Sequence, residues 1–399
     1  MMNAPRAVLL VLPLLPGVVA MWEANANRGL VPSNREGHGE IRAKDSLAPN
    51  VQKPESVGIC SILRDEDRYI MEWLDYHHGL GVAKFYLYDN SDEFTLQDLR
   101  RDDVELIHYP NKNPDDAMWV QRHAYNDCIR RFGPLHDSLG FLDLDEFVVL
   151  HQHSSLPDML REHLRQGVLS INWVPFGSNG ETQYHPMPVT KRFTSDPKYS
   201  PLTKAFARPE HILNFTQNPH VPNLKEGYTQ HDVCGLELNG PRIPADLNCS
   251  LRLDATVVEW APRDDIGTPL PPRNNKKSPI TEQMLKATTA VIFHYHSKSR
   301  EEFMGKCCAR GYFNREDEAT MCSEYAQGMK RREPVNTGFF EAWNFLKTVS
   351  PKYEVCDEAG KELECAALLY KPTRIQTKFE ARDSLLQMRM GACSPGELW

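Results

Sequence analysis

The chain has 399 residues, enough for one large α/β domain or two smaller ones. Hydrophobic residues at 41% and charged residues at 25% are ordinary for a soluble globular protein. The net charge of −8 lacks the basic footprint of a nucleic-acid binder, so nucleic acid is excluded as the expected partner.

Arg6 precedes an apolar run, Ala7 to Ala20, which ends in the small residues Val18-Val19-Ala20. A positive start, a short apolar stretch and a small-residue cleavage site are the marks of a secretory signal. The run contains Pro13 and Pro16 and is short of the roughly 20 apolar residues that span a bilayer. Residues 1–20 therefore read as a cleaved signal peptide or a short signal-anchor that would attach the chain to a membrane. Residues 21–56, rich in Asn, Glu, Pro and Gly, read as a flexible stem.

Val57 to Leu63 is a compact apolar run and predicts a first strand. Asp67 to Leu80 places Tyr69, Ile70, Trp73, Leu74 and His77 at helical spacing, with Gly79 and Gly81 to end it. Lys84 to Tyr88 and Val104 to Tyr109 predict two further strands. Met118 to Phe132 predicts a helix closed by Gly133-Pro134, and Phe141 to Leu150 the next strand. Beyond these come a helix over Leu156 to Gln166, a strand over Val168 to Val174, and a Pro- and Asn-rich stretch, 185–275, with a few short strands, expected to form acceptor-side loops. A strand at Ile292 to Tyr295 and a helix at about Arg300 to Arg310 follow, and a helical periphery lies past residue 340. Strands alternating with helices predict a mostly parallel, Rossmann-like sheet flanked by helices, with an irregular acceptor-side region. Such sheets bind ligands beyond the carboxyl ends of their strands. Three polar clusters sit at those ends: Arg64-Asp65-Glu66, Asp89-Asn90-Ser91 and Asp143 to Glu146.

Asp143-Leu144-Asp145 has apolar flanks, and on a strand both carboxylates would share one face. Two such carboxylates repel unless a cation lies between them or one is protonated. Magnesium and manganese accept these oxygen ligands and complete their shells with substrate phosphates. His294-Tyr295-His296 repeats the spacing further on, so either histidine could supply a later metal ligand, and Lys298 could neutralise a departing diphosphate. Gln121, Arg122 and Asn126 share a helix face just before the acidic stretch. Two sequons, Asn214-Phe215-Thr216 and Asn248-Cys249-Ser250, suit a lumenal protein. The ten cysteines contain no CxxC pair, and several of the later ones are expected to join as disulfides in that setting.

Ser61 to Thr95 resembles the opening of glycosyltransferase family 92 and related family 2-like enzymes with a GT-A fold. The similarity continues through Phe141 to Val148, Trp173 to Gly180, Lys204 to His211 and His294 to Gly311, in family order. The resemblance implies a GT-A domain over 57–315, with 316–399 as a peripheral helical segment. It implies inverting transfer of a sugar, often galactose, from a UDP-sugar with Mn2+ (or Mg2+) to a glycan or glycoprotein acceptor. That would place the chain in the secretory pathway, at the Golgi lumen or membrane. Arg64, Glu66 and Asp89 would contact the nucleotide, with Gln121 and Arg122 beside them. Asp143 and Asp145 would hold the metal and diphosphate, with His294 or His296 as partner, and Lys298 would face the phosphates. The acceptor hydroxyl needs a general base. Asp232 is the first candidate, followed by Glu181 and Glu237. Two other readings stay open: a metal-dependent hydrolase, and a catalytically silent glycan-binding protein of the same fold.

Overall fold

The computed structural model describes residues 55–94, 96–110, 117–165, 167–195, 197–198, 200–238, 240, 280–310 and 338–369. The expected signal or anchor, nearly all of the stem, and the Asn248 sequon lie outside the described residues. No helix among the described residues is long and apolar enough to cross a membrane.

Strand β1 (Val57–Leu63) is buried along its whole length apart from Ile62, as a near-continuous apolar run predicts for a central strand. A single 3-10 turn, Asp67–Tyr69, leads into α1 (Ile70–Gly79). That helix buries Ile70, Trp73, Leu74 and His77 against the sheet. It stops where Gly79 meets helix α7 (Glu341–Val349), for a Cβ there would lie 2.4 Å from Val349. Strands β2 (Lys84–Asp89) and β3 (Val104–His108) then add in parallel on one side of β1. Helix α2 (Ala117–Phe132) returns the chain to β4 (Ser138–Phe141), parallel to β1 on its other side. A Cys60–Cys128 disulfide staples α2 to β1.

The expected strand Phe141 to Leu150 is instead two strands, β4 and β5 (Glu146–Leu150), separated by a turn. The bond from Leu142 N to Cys60 O is the last that ties this segment to β1, and Glu146 N donates to Asp143 O at 3.1 Å to close the turn. After it the chain changes neighbours: β5 pairs antiparallel with β12 (Ala290–His294). Asp143 and Asp145 are therefore brought to the site by a turn, not by alternation along a strand.

Helix α3 (Leu156–His163) ends three residues short of expectation, because Leu164 leaves the helical region and Gly167 turns the chain at φ +77. Strand β6 (Val168–Pro175) follows, and a four-residue helix, α4 (Val189–Arg192), leads toward β7 (Thr203–Ala207). β7 inserts antiparallel between β6 and β4. The stretch read as acceptor-side loops with a few short strands thus supplies a central strand of the sheet. It also supplies the small pair β8 (Ile212–Asn214) and β9 (Asn223–Leu224), and the edge strands β10 (Gln230–Asp232) and β11 (Glu237–Leu238). The ten-stranded sheet is mixed, with parallel pairings β1–β2, β2–β3, β1–β4, β6–β10 and β6–β12 outnumbering the antiparallel ones. Helices α5 (Glu282–Lys286), α6 (Arg300–Arg310), α7 and α8 (Glu362–Leu369) complete the described elements, and Cys356 is joined to Cys365.

Buried Glu72 of α1 caps the start of α4. Its carboxylate accepts from Val189 N at 2.8 Å, Thr190 N at 3.0 Å and Thr190 Oγ1 at 2.6 Å. Glu72→Ala orphans these donors in the interior, and is expected to destabilise the fold by about 2–3 kcal/mol. Chemical denaturation checks this, and a change below about 0.5 kcal/mol would show that water replaces the carboxylate.

Candidate active site

The parallel register of β4, β1 and β2 brings the ends of three strands to one edge, as Asn90 N bonding to Leu63 O illustrates. Around that edge the chain places several ionised groups where apolar surroundings magnify their interactions.

Asp145 is 2% exposed. Lys306 of α6 contacts its Oδ2, Lys298 Nζ lies 3.3 Å from the same oxygen, and His294 Nε2 lies 3.5 Å from Oδ1. Burial raises the pKa of this carboxyl, but Lys306, Lys298 and His294 outweigh it and hold the group well below the ordinary range. Asp143 faces a different set. Its Oδ1 accepts from Gln121 Nε2 at 2.8 Å, and Oδ2 from Lys204 Nζ at 2.8 Å. Burial again works against the charge, yet Lys204 and Lys306 keep Asp143 below its usual value.

Lys204 of β7 is fully buried and also lies 3.4 Å from Glu146. Glu146 Oε2 accepts from Asp143 N at 2.9 Å, while its Oε1 is buried with no partner among the described residues. Burial, reinforced by the two aspartates and opposed by Lys204, pushes the Glu146 carboxyl well up. Trp173 of β6 lies between His294, with ring centroids 4.2 Å apart, and His220, at 5.0 Å. Burial, with Lys204 nearby, lowers His220 to about 4.

The register that builds this centre is long-range. His294 pairs with Glu146 across β12–β5 and with Pro175 across β12–β6, and Tyr295 N donates to Asp145 O at 2.8 Å. His296 lies past the strand end, its ring 5.4 Å from that of His294. Lys298 is buried over the Tyr69 ring at 4.6 Å. Desolvation lowers its pKa, and Asp145 opposes that shift. Lys298 has φ +48, Asp65 after β1 has φ +55 and Asn179 after β6 has φ +52. Three side-chain-bearing residues in the left-handed region store backbone strain of the kind that gathers at functional sites.

The other expected residues divide. Glu66 joins the cluster through Lys306, 4.0 Å away. Arg64 lies on the same edge and reaches Asp92 at 3.7 Å. Asp89 is buried and accepts from Ser91 N and Leu96 N, so it shapes the loop after β2. Arg122 donates to Gln217 O at 3.3 Å, whereas its neighbour Gln121 meets Asp143. Asp232 pairs with Ser170, in the first half of β6, while the register to His294 runs through Trp173–Pro175 at the other end. Its Oδ1 accepts from the amides of Cys234 and Leu236 and so caps a turn. Glu181 follows the carboxyl end of β6 and binds Arg192 at 2.7 Å. Lys204, Lys306 and Trp173 were not singled out from sequence. A lone lysine in the apolar strand Thr-Lys-Ala-Phe-Ala was the available signal for the first.

Residues 53–235 match the family model described as glycosyltransferase family 92. A family 92 protein of Oryza sativa subsp. japonica is 26% identical over 187 residues, covering 44% of this chain and 31% of its own. One from Ricinus communis is 26% identical over 186 residues (44% and 33%), and one from Arabidopsis thaliana 25% over 206 residues (47% and 35%). The chain spans about a third of the length of these relatives. The X-ray structure of the mannosyltransferase Ktr4p from S. cerevisiae aligns at 13% identity and TM-score 0.20, over 32% of this chain and 42% of its own, too slight a likeness to bear on the reaction. The family 92 match takes in Asp143, Asp145 and Lys204, and stops before β12. His294 and Lys298 complete the same centre from beyond its end.

Proposed function

We propose that the chain is a glycosyltransferase that moves a sugar, galactose by preference, from a UDP-sugar to a glycan or glycoprotein acceptor with inversion. The observation that supports this is the buried Asp145 carboxylate ringed by Lys298, Lys306 and His294 at the carboxyl edge of a largely parallel sheet. Ammonium groups gathered in a dry site are what a diphosphate leaving group needs as its charge develops. Arg64 and Glu66, on the same edge, suit the nucleotide end. The sequons and the Cys60–Cys128 disulfide support a setting in the secretory pathway, with the Golgi as the proposed location.

The residues present fit a divalent cation in a restricted way. Asp145 Oδ1 and His294 Nε2, 3.5 Å apart, are too distant for a good hydrogen bond and suit two ligands facing one ion. Among the described residues no third metal-ligating side chain converges with them. Phosphate oxygens would therefore supply much of the shell, as is common for Mg2+ and its oxygen-seeking relatives such as Mn2+. Such an ion would add Lewis-acid stabilisation of the diphosphate.

Of the chain's own groups, Lys298 and Lys306 neutralise the departing phosphates, and Gln121 with Lys204 fixes Asp143. Glu181 is better placed than Asp232 to take the acceptor proton. It follows the carboxyl end of β6, and burial raises its carboxyl even though Arg192 opposes the shift. Glu237 is exposed on an edge strand.

Calorimetry with UDP, with and without Mn2+, on the whole chain and on Asp145→Asn tests this reading. The expected result is binding that strengthens with Mn2+ and weakens at least tenfold in the variant. Binding indifferent to Mn2+ but lost in Lys298→Met would leave a clamp of lysines alone. No UDP binding at all would sink the proposal.

A further inference from the structure

We propose that His153, Glu162 and His163 form a zinc site, separate from the centre around Asp145. His153 lies in the loop after β5, and Glu162 and His163 form the last turn of α3. The β5–β12 ladder separates the two places. Its Glu146–His294 end is at the acidic turn and its Leu150–Ala290 end leads into this loop, a span of about 15 Å at the usual rise per strand residue.

The three side chains each offer a ligand atom, and these atoms all lie within 4.8 Å of one another. His153 Nε2 is 2.9 Å from Glu162 Oε2, and His163 Nε2 is 3.8 Å from Glu162 Oε1. The two imidazole rings meet edge to face with centroids 5.3 Å apart. An ordinary surface pair of histidine and glutamate would leave both rings solvated. Here one nitrogen of each ring, His153 Nδ1 and His163 Nε2, is buried with no partner among the described residues. Buried polar atoms are nearly always satisfied, so two orphans in one cluster point to a missing neighbour.

His163 has the arrangement of a ligating histidine. Its unpartnered Nε2 is turned toward Glu162, 3.8 Å from Oε1. Two imidazoles and one carboxylate with room for water form a donor set suited to Zn2+. Bound there, the ion would tie the loop after β5 to the end of α3.

The test is Zn2+ calorimetry and thermal unfolding on the full chain after EDTA treatment, alongside His163→Gln, Glu162→Gln and Asp145→Asn. One Zn2+ event is expected in the wild type and in Asp145→Asn. His163→Gln and Glu162→Gln should weaken it by about 10- to 100-fold. Zn2+ at a hundred times its Kd should raise the wild-type midpoint by about 5 °C, and neither ligand variant by as much. Glu162 is exposed, so its variant keeps the fold intact and isolates the ligand effect. Midpoints measured in EDTA show whether His163→Gln has lost structure instead. Equal binding by all variants, loss confined to Asp145→Asn, or no Zn2+ binding would each overturn the proposal.

Discussion

Lys204→Met is expected to destabilise the fold by about 3–5 kcal/mol at neutral pH, the range seen when one member of a buried ion pair is removed. The side chain is fully buried between Asp143 and Glu146, and these carboxylates raise its pKa well above the usual value against the effect of burial. Its loss leaves the Asp143 and Glu146 carboxyl groups facing each other in an apolar place with no buried counter-ion. Glu146 already has a raised pKa, so it favours the folded state below its unfolded value, and that advantage fades as pH rises through the folded value. Asp143 has the opposite sign, since the stability it gains from Lys204 is lost as pH falls. Both arguments make the deficit of Lys204→Met smaller in acid than at pH 8. Urea melts at the two pH values read this directly. Adding Glu146→Gln should restore a large part of the loss, because the orphaned charge is gone. Simple additivity of the two substitutions would refute the coupling.

On the proposed reaction, Lys298→Met is expected to lower turnover of UDP-galactose with Mn2+ by about 10²- to 10³-fold, the usual consequence of deleting one group that stabilises developing charge. The methionine keeps most of the volume and removes only the ammonium. Lys306 still contacts Asp145, so the buried carboxylate keeps a counter-ion and the fold should survive. A purely structural lysine would show a shifted melting midpoint with turnover unchanged. A catalytic one shows the reverse, with the loss in kcat greater than that in KM.

The element pattern was legible because burial in this sheet is strongly one-dimensional. β1, β2 and β6 are apolar runs that stop at a charged residue or a proline, and their limits in the structure fall within a residue or so of those read from the pattern. The break between β4 and β5 was not legible, since Phe141 to Leu150 is uninterrupted to any local rule. Only the distant partner β12 makes the chain turn at Leu144. Asp143, Asp145, His294 and Lys298 could be picked out because each stands at the end of an apolar run. Lys306 belongs to a helix whose composition gives no hint of direction, and Lys204 sits in a stretch read as loops with a few short strands of unassigned position. Arg122 and Gln121, adjacent in sequence, go to different partners because neighbouring positions on a helix diverge by about 100°.

The backbone bonds around Asp145 also constrain how the molecule can move. Tyr295 N binds Asp145 O, Phe176 N binds His294 O, and Leu142 N binds Cys60 O, so four distant chain segments are laced together directly beneath the carboxylates. A ligand cannot gain entry by prising these segments apart without breaking sheet hydrogen bonds. Lys306 and Arg64, by contrast, meet Asp145 and the exposed Asp92 through side chains, whose partners can change without breaking a sheet hydrogen bond.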